Sequence, residues 1–247
     1  MTPSPSEAPL SETDLSEIRA IQAAADAAMI AVIDYLHSVS QPTAEAAHAL
    51  IDEVLEQYDA HSPEGHIVAG GTASAEPHEH GTGTILPHTP IVIDIYPQSR
   101  TTGWWADISR TICLGTPPAE LVRLYQTVQT AQSIAIKAVR PGVTGGALHQ
   151  LAEEHFESAG YTTGGTGKEF TYAEGFVHSL GHGVGQSIHM HPHISRDSTD
   201  ILQAGDIITI EPGLYYPTIG GVRLEDILVV TETGYANLAA VETRLTR

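Results

Sequence analysis

The sequence predicts an α+β fold built as two similar halves that face each other across a cleft. Three observations carry this. Each half reads as two helices, a loop with histidine, then two strands that each carry one carboxylate inside an apolar run. Asp94 and Asp107 are 13 residues apart, and Glu211 and Glu225 are 14 apart. The offset between the pairs is 117 for one and 118 for the other, which is an internal quasi-repeat. Two copies are too few for a solenoid, so a facing pair of domains-within-a-domain is the expected arrangement.

Residues 1–10, rich in Pro and Ser, read as a disordered N-terminus. Ser11 or Thr13 then caps a helix over roughly 14–38, where Ile18, Ile21, Ala25, Ala28, Met29, Val32, Ile33 and Leu36 recur at helical spacing. Thr43 opens a second helix with Ala47, Leu50, Ile51, Val54 and Leu55 on its apolar side. Ile67–Ala69 begins a short strand, followed by a loop holding His78 and His80.

PIVIDIYP alternates Ile91, Ile93 and Ile95 with Val92, Asp94 and Tyr96, a strand pattern that puts Asp94 at an inward position. A carboxylate there is costly unless it is paired or bound to metal. SRTTGWW reads as a turn, and ADISRTICLG as the returning strand, carrying Asp107. Thr116-Pro117-Pro118 opens a helix to about Val139, and residues 144–159 form another that Gly160 ends. The Gly/Thr-rich stretch 163–168 reads as a flexible loop. The second half closes with DIITIEPGLYYP and GGVRLEDILVVTETG, read as two strands carrying Glu211 and Glu225.

Between helices and strands lies FVHSLGHGVGQSIH, residues 176–189, with His178, His182 and His189 among glycines. Neutral imidazole is the commonest transition-metal ligand, and glycine lets backbone approach a buried ion closely. A His- and Asp-rich loop, 189–200, follows.

Composition excludes several function classes. The chain of 247 residues has a formal charge of −19, which argues against nucleic acid or an anionic membrane as partner. The single cysteine, Cys113, allows no internal disulfide. The N-terminus lacks a basic and an apolar signal region, and no apolar run approaches a membrane span, so a cytoplasmic location is the expectation. The 14 histidines beside 30 acidic residues suggest divalent metal, as enzyme cofactor or, in a different class, as a stored ion.

Four carboxylates and a histidine in one cleft need cations to stay ionised. One divalent ion leaves excess negative charge, while two nearly balance it. Oxygen ligands with one imidazole suit Mn, Co, Fe or Zn, and the ligand types alone do not choose among them. A two-metal site activates a bridging water and clamps a tetrahedral intermediate, so amide or ester hydrolysis is the natural reaction.

GHGVGQSIH, TIEPGLY, GGVRLEDILVVTETG and the Asp94…Asp107 hairpin resemble the metallopeptidase family of methionine aminopeptidase, Xaa-Pro aminopeptidase and prolidase. The resemblance covers about residues 14–245 and implies the pita-bread (creatinase/aminopeptidase) fold, with 11–247 as one catalytic domain. It implies that Asp94 binds one metal, His182 and Glu211 the other, and that Asp107 and Glu225 bridge both. It further implies that Glu211 shuttles a proton and that His78 and His189 contact the substrate, with His80 a competitor for the place of His78. His178 matches an extra histidine of the Xaa-Pro branch. Arg223 in GVRLED also matches that branch, as a candidate for orienting a carboxylate of the substrate or of a metal ligand.

The implied activity is a dinuclear-metal exopeptidase that removes the N-terminal residue from Xaa-Pro peptides or dipeptides. A methionine aminopeptidase-like activity is the nearer alternative, and a non-catalytic peptide-binding module on the same fold the more distant one. A peptide substrate is the implied partner, and the resemblance allows a homodimer. The Asp94–Asp107 hairpin is longer than the family's usual one and bears Trp104 and Trp105.

Overall fold

The computed structural model describes residues 11–164 and 174–246. The disorder expected of residues 1–10 lies outside them, as do residues 165–168 of the Gly/Thr-rich loop.

Helix α1 spans Glu12–Ser38 and α2 spans Ala44–Gln57. Ser11, not Thr13, caps α1: its hydroxyl accepts from the Asp14 amide while the Asp14 carboxylate accepts from the Ser11 amide. This reciprocal box satisfies donors that the first turn would otherwise leave unpaired. Thr43 caps α2 as its spacing predicts. The buried face of α1 includes Ile18, Ile21, Ala25, Met29, Val32 and Leu36, and each large apolar side chain hidden there contributes about 1.5–3 kcal/mol.

The first half continues with β1 (Ala60–His61), β2 (Ile67–Gly70), β3 (Pro90–Ile95), β4 (Gln98–Ser99) and β5 (Ile108–Cys113). Strands β2, β3 and β5 form one antiparallel sheet in that order. Ile91, Ile93 and Ile95 pack into the core shared with α1 and α2, so Val92 and Asp94 face the other way. All six residues of β3 are buried, so Asp94 has no route to bulk water along its own strand.

The second half repeats the plan. Helices α3 (Ala119–Ala138) and α4 (Gly145–Ser158) precede β6 (Gly181–Gly183), β7 (Met190–Ile194) and β8 (Ile207–Ile210). Then come β9 (Gly213–Tyr216), β10 (Gly220–Arg223), β11 (Asp226–Val230) and β12 (Tyr235–Asn237). Gly160, at φ 83°, ends α4, and the Gly160 and Tyr161 amides close back on the Glu157 and Phe156 carbonyls. The second sheet runs β12-β11-β8-β6-β7, so its antiparallel β6-β8-β11 triplet is the counterpart of β2-β3-β5.

Two expectations need correction. DIITIEPGLYYP is not one strand but β8 and β9, broken at Pro212, which has no amide to give a ladder. GGVRLEDILVV likewise divides into β10 and β11. In consequence only Asp94 lies within a strand; Asp107 sits just before β5, Glu211 just after β8 and Glu225 just before β11. The carboxylates occupy strand ends, where backbone can turn and side chains from different strands converge.

Alternate residues of the second sheet serve different cores. Ile208, Ile210, Leu228 and Val230 join the core of α3 and α4, while Ile207, Ile227 and Val229 join that of α1 and α2. Burial on both faces explains the near-continuous apolar runs IITI, interrupted only by Thr209, and ILVV. Among the described residues, no helix is long and apolar enough to cross a membrane.

Candidate metal centre

The two halves are stitched together at the acidic residues. The Glu225 amide donates to the Ser109 carbonyl at 3.0 Å, and the Arg223 amide donates to the Thr111 hydroxyl at 2.9 Å. Register places Ser109 directly opposite Asp94 in the β3–β5 ladder. Its hydroxyl lies 2.7 Å from Asp94 Oδ1 and 2.9 Å from Glu225 Oε2, joining one carboxylate of each half.

His182 enters from β6. Its Nε2 is 3.4 Å from Glu211 Oε1 and 3.7 Å from Asp107 Oδ2. Gly181 and Gly183 flank it because β6 is squeezed between β8 and β7. A Cβ at Gly181 would lie 2.1 Å from the Thr209 carbonyl oxygen, and one at Gly183 would lie 2.3 Å from that of His191. The His182 amide is taken up by the Thr209 hydroxyl, and Nδ1 lies 3.1 Å from the Gly183 carbonyl, so Nε2 is the nitrogen that faces the acids.

Electrostatics agree with a cation-binding cluster. Burial, and then the Asp94 charge, push Asp107 well above the usual carboxylate range. Burial and then Asp107 do the same to Glu225, and burial pushes Glu211 up to about 8. Burial, then His189, pushes His182 down to about 4, which keeps its imidazole neutral and able to ligate. Asp107 Oδ1 and Glu225 Oε1 are buried without a hydrogen-bond partner among the described residues. Orphaned buried carboxylate oxygens are costly unless a cation takes them up, so the donor set fits divalent metal. Asp107, His182 and Glu225 offer ligand atoms within 4.8 Å of one another, the one such group of three or more among the described residues.

Arg223 was read as facing a carboxylate of either substrate or ligand. It is buried, and its donors go to Asp94 Oδ2 at 2.7 Å, Ser109 Oγ at 2.9 Å, Tyr215 OH at 2.9 Å and the Pro77 carbonyl at 3.0 Å. The guanidinium therefore holds Asp94 from behind and has little left for a substrate. Tyr215 in turn lies 2.9 Å from His178 Nε2, while His178 Nδ1 lies 2.7 Å from the Ser179 carbonyl. Burial, then the Arg223 charge, push His178 down to about 3, so it accepts from the Tyr215 hydroxyl. Gly213 of EPG makes room for this contact: a Cβ there would lie 2.6 Å from the Tyr215 hydroxyl.

His189 is exposed, with its ring centroid 4.4 Å from that of His182. His78 is also exposed and acts electrostatically on both His178 and His189. His80 is engaged elsewhere: its Nδ1 lies 2.9 Å from the His66 carbonyl. Ser109, Tyr215 and Thr209 were not singled out from sequence. Their hydroxyls matter through register and cross-half contact, for which the chain carries no local signal.

A pair of half-sheets closing on buried acids and one neutral histidine defines a metallohydrolase-type centre on a pita-bread fold. Residues 16–232 match Metallopeptidase family M24, and the chain belongs to that family. It is 34% identical over 93% of its length to the Xaa-Pro dipeptidase of Pyrococcus furiosus, spanning 63% of that protein. Its structure superposes on the prolidase of Pyrococcus horikoshii OT3 with TM-score 0.85 and 32% identity, covering 96% of this chain and 65% of the other. The X-Pro aminopeptidase of Thermotoga maritima MSB8 gives TM-score 0.85 at 28% identity, with 97% and 64% covered. The chain thus spans just under two thirds of the length of these relatives.

Proposed function

We propose that this chain is a metal-dependent exopeptidase that releases the N-terminal residue of peptides or dipeptides with proline in second place. The observation that carries the reading is the buried cluster with two orphaned carboxylate oxygens, in a chain whose relatives include Xaa-Pro dipeptidases. Asp94, Asp107, His182, Glu211 and Glu225 would hold two divalent ions, with Asp107 and Glu225 shared. Bound ions supply an activated water and Lewis-acid stabilisation of the developing charge.

The protein's own groups do the rest. Glu211, beside His182, would take a proton from the attacking water and pass it to the departing proline nitrogen. That nitrogen needs it, because the amide before proline is tertiary and its leaving group is a secondary amine. His189, whose ring meets that of His182, and His78, which acts electrostatically on His189, would donate to the carbonyl oxygen as charge develops. Arg223 anchors Asp94, and Tyr215 links that anchor to His178. The acidic floor attracts the free amine of a substrate, which favours an exopeptidase over an endopeptidase.

A panel of Xaa-Pro dipeptides, Xaa-Pro-Xaa tripeptides and Met-Ala peptides, with added Mn, Co or Zn, tests this. Hydrolysis of the proline peptides, abolished by a chelator, is the expected result. Faster cleavage of Met-Ala would reject the proline assignment, and no hydrolysis with metal bound would reject catalysis.

A further inference from the structure

A second cluster of imidazoles borders the centre, on the His- and Asp-rich segment 189–200, with His193 in electrostatic reach of His182 and His189. His191 and His193 are both exposed on β7, the edge strand beyond β6, with ring centroids 4.2 Å apart. Asp200 buttresses them: its Oδ2 is 2.7 Å from His191 Nδ1 and accepts the His193 amide at 2.7 Å. A carboxylate on one ring nitrogen fixes the tautomer and leaves the other nitrogen as a lone-pair donor, as in the outer shell of metal-bound histidines. His191 Nε2 and both ring nitrogens of His193 have no protein hydrogen-bond partner among the described residues.

The support for this pair is built into the fold. The Asp200 carbonyl accepts the Gly145 amide at 2.9 Å and the Ser198 carbonyl accepts the Gly146 amide at 3.1 Å, docking the loop on the start of α4. Gly145 and Gly146 permit that approach, since a Cβ would lie 2.0 Å from the His193 carbonyl oxygen at the first and 2.6 Å from that of Ser198 at the second. Burial pulls Asp200 up, but its hydrogen bonds to the His193 amide and the His191 ring outweigh this and keep it ionised. An exposed ion pair that served only the loop would not require the second imidazole.

We propose that His191 and His193, oriented by Asp200, form an accessory two-imidazole site for a divalent transition metal of the nickel-to-zinc range. Two nitrogens on one tetrahedral ion lie roughly 3.4 Å apart, given bonds of about 2.0–2.1 Å. The two exposed rings, with centroids 4.2 Å apart, already stand close to that spacing. The ligand class follows from two imidazoles without thiolate, which favour copper, nickel and zinc over magnesium or calcium. This site is separate in residues from the buried cluster and stands whether or not the chain is a peptidase.

The test is equilibrium dialysis and calorimetry of the full chain with Zn²⁺. The variant His191→Ala/His193→Ala should bind one ion fewer per chain than wild type and keep the same fold by circular dichroism. Asp200→Asn keeps an acceptor but loses the charge, and should weaken the same ion by about 10–100-fold. In an Asp107→Ala/Glu225→Ala background, about one ion should remain and vanish when both histidines are replaced. Equal stoichiometry and affinity in wild type and His191→Ala/His193→Ala would overturn the proposal.

Discussion

Ser109 has one hydroxyl proton and two carboxylate neighbours, Asp94 and Glu225, each within 2.9 Å. It also accepts Arg223 Nε, so the hydroxyl can satisfy only one of the two acids at a time. The other must carry a proton or face a cation. Arg223 matters for the same reason, since its fork reaches Asp94, Ser109 and Tyr215 at once. Lysine keeps the charge but not the fork. Arg223→Lys should lower peptide hydrolysis by about 10–100-fold while circular dichroism stays unchanged. Glu211→Gln removes both a proposed ligand and the proton carrier, so turnover should fall by several orders of magnitude in steady-state assays. Asp107→Ala should lose both ions, which metal analysis of the dialysed protein would show; full occupancy would sink its reading as a bridge.

At the scale of elements, β6 is closely hemmed in by backbone. Its glycines let His182 sit between β8 and β7 without a side chain on either flank. Gly183→Ala would drive a Cβ into the His191 carbonyl, which is backbone and cannot swing away. Overpacking of this kind costs about 1–3 kcal/mol. Urea denaturation should show that loss, and metal affinity should fall with it because His182 moves. A stability change within error would mean that β7 yields easily.

Across the whole molecule, proton and cation compete for the same acids. Glu211 is pushed up to about 8, and Asp107 and Glu225 are also raised, so these groups bind protons more tightly in the fold than in the unfolded chain. Their contribution to the protein alone is therefore fully present below the unfolded carboxylate pKa and is lost as pH rises through the folded one. His178 and His182, pushed down to about 3 and about 4, act oppositely: their contribution is present above the unfolded histidine pKa and lost as pH falls. Metal must displace the carboxyl protons, so the rise in melting temperature on adding Mn²⁺ should be larger at pH 8 than at pH 5.5. Equal shifts at both values would count against these acids as ligands.

The C-terminal segment adds a second whole-molecule link. Arg110 is buried behind the centre and donates to the carbonyls of Ser109, Glu225 and Val241 and to the Asp226 carboxylate. The Cys113 amide and the Gln129 side chain bond to Leu245 and Thr243 on the same segment. Removing residues 239–247 would take the Val241 carbonyl from Arg110, which keeps Asp226, and would also break the Cys113 and Gln129 bonds, at about 0.5–1.5 kcal/mol for each hydrogen bond lost. Calorimetry of the truncated chain should show it as a lower melting temperature.

The sequence by itself determined the helices, the four acids in their two pairs, His182 and the two-half plan. These rest on local spacing: Ile91, Ile93 and Ile95 alternate, Thr43 caps, and the acids recur at nearly constant offset. It did not show that Glu211 lies beyond β8 rather than within a strand, because Pro212 weighs on the ladder only once β8 has a partner. Only the tertiary structure decided that Ser109 opposes Asp94, that Arg223 turns inward to Asp94, and that Tyr215 joins it to His178. Ser109 meets Asp94 across β3 and β5, Arg223 reaches Asp94 and Ser109 from more than a hundred residues away, and Tyr215 meets His178 across 37 residues of the second half. Spacing along a chain encodes which face a residue takes, whereas strand register and the docking of two half-sheets are set by packing of the whole core.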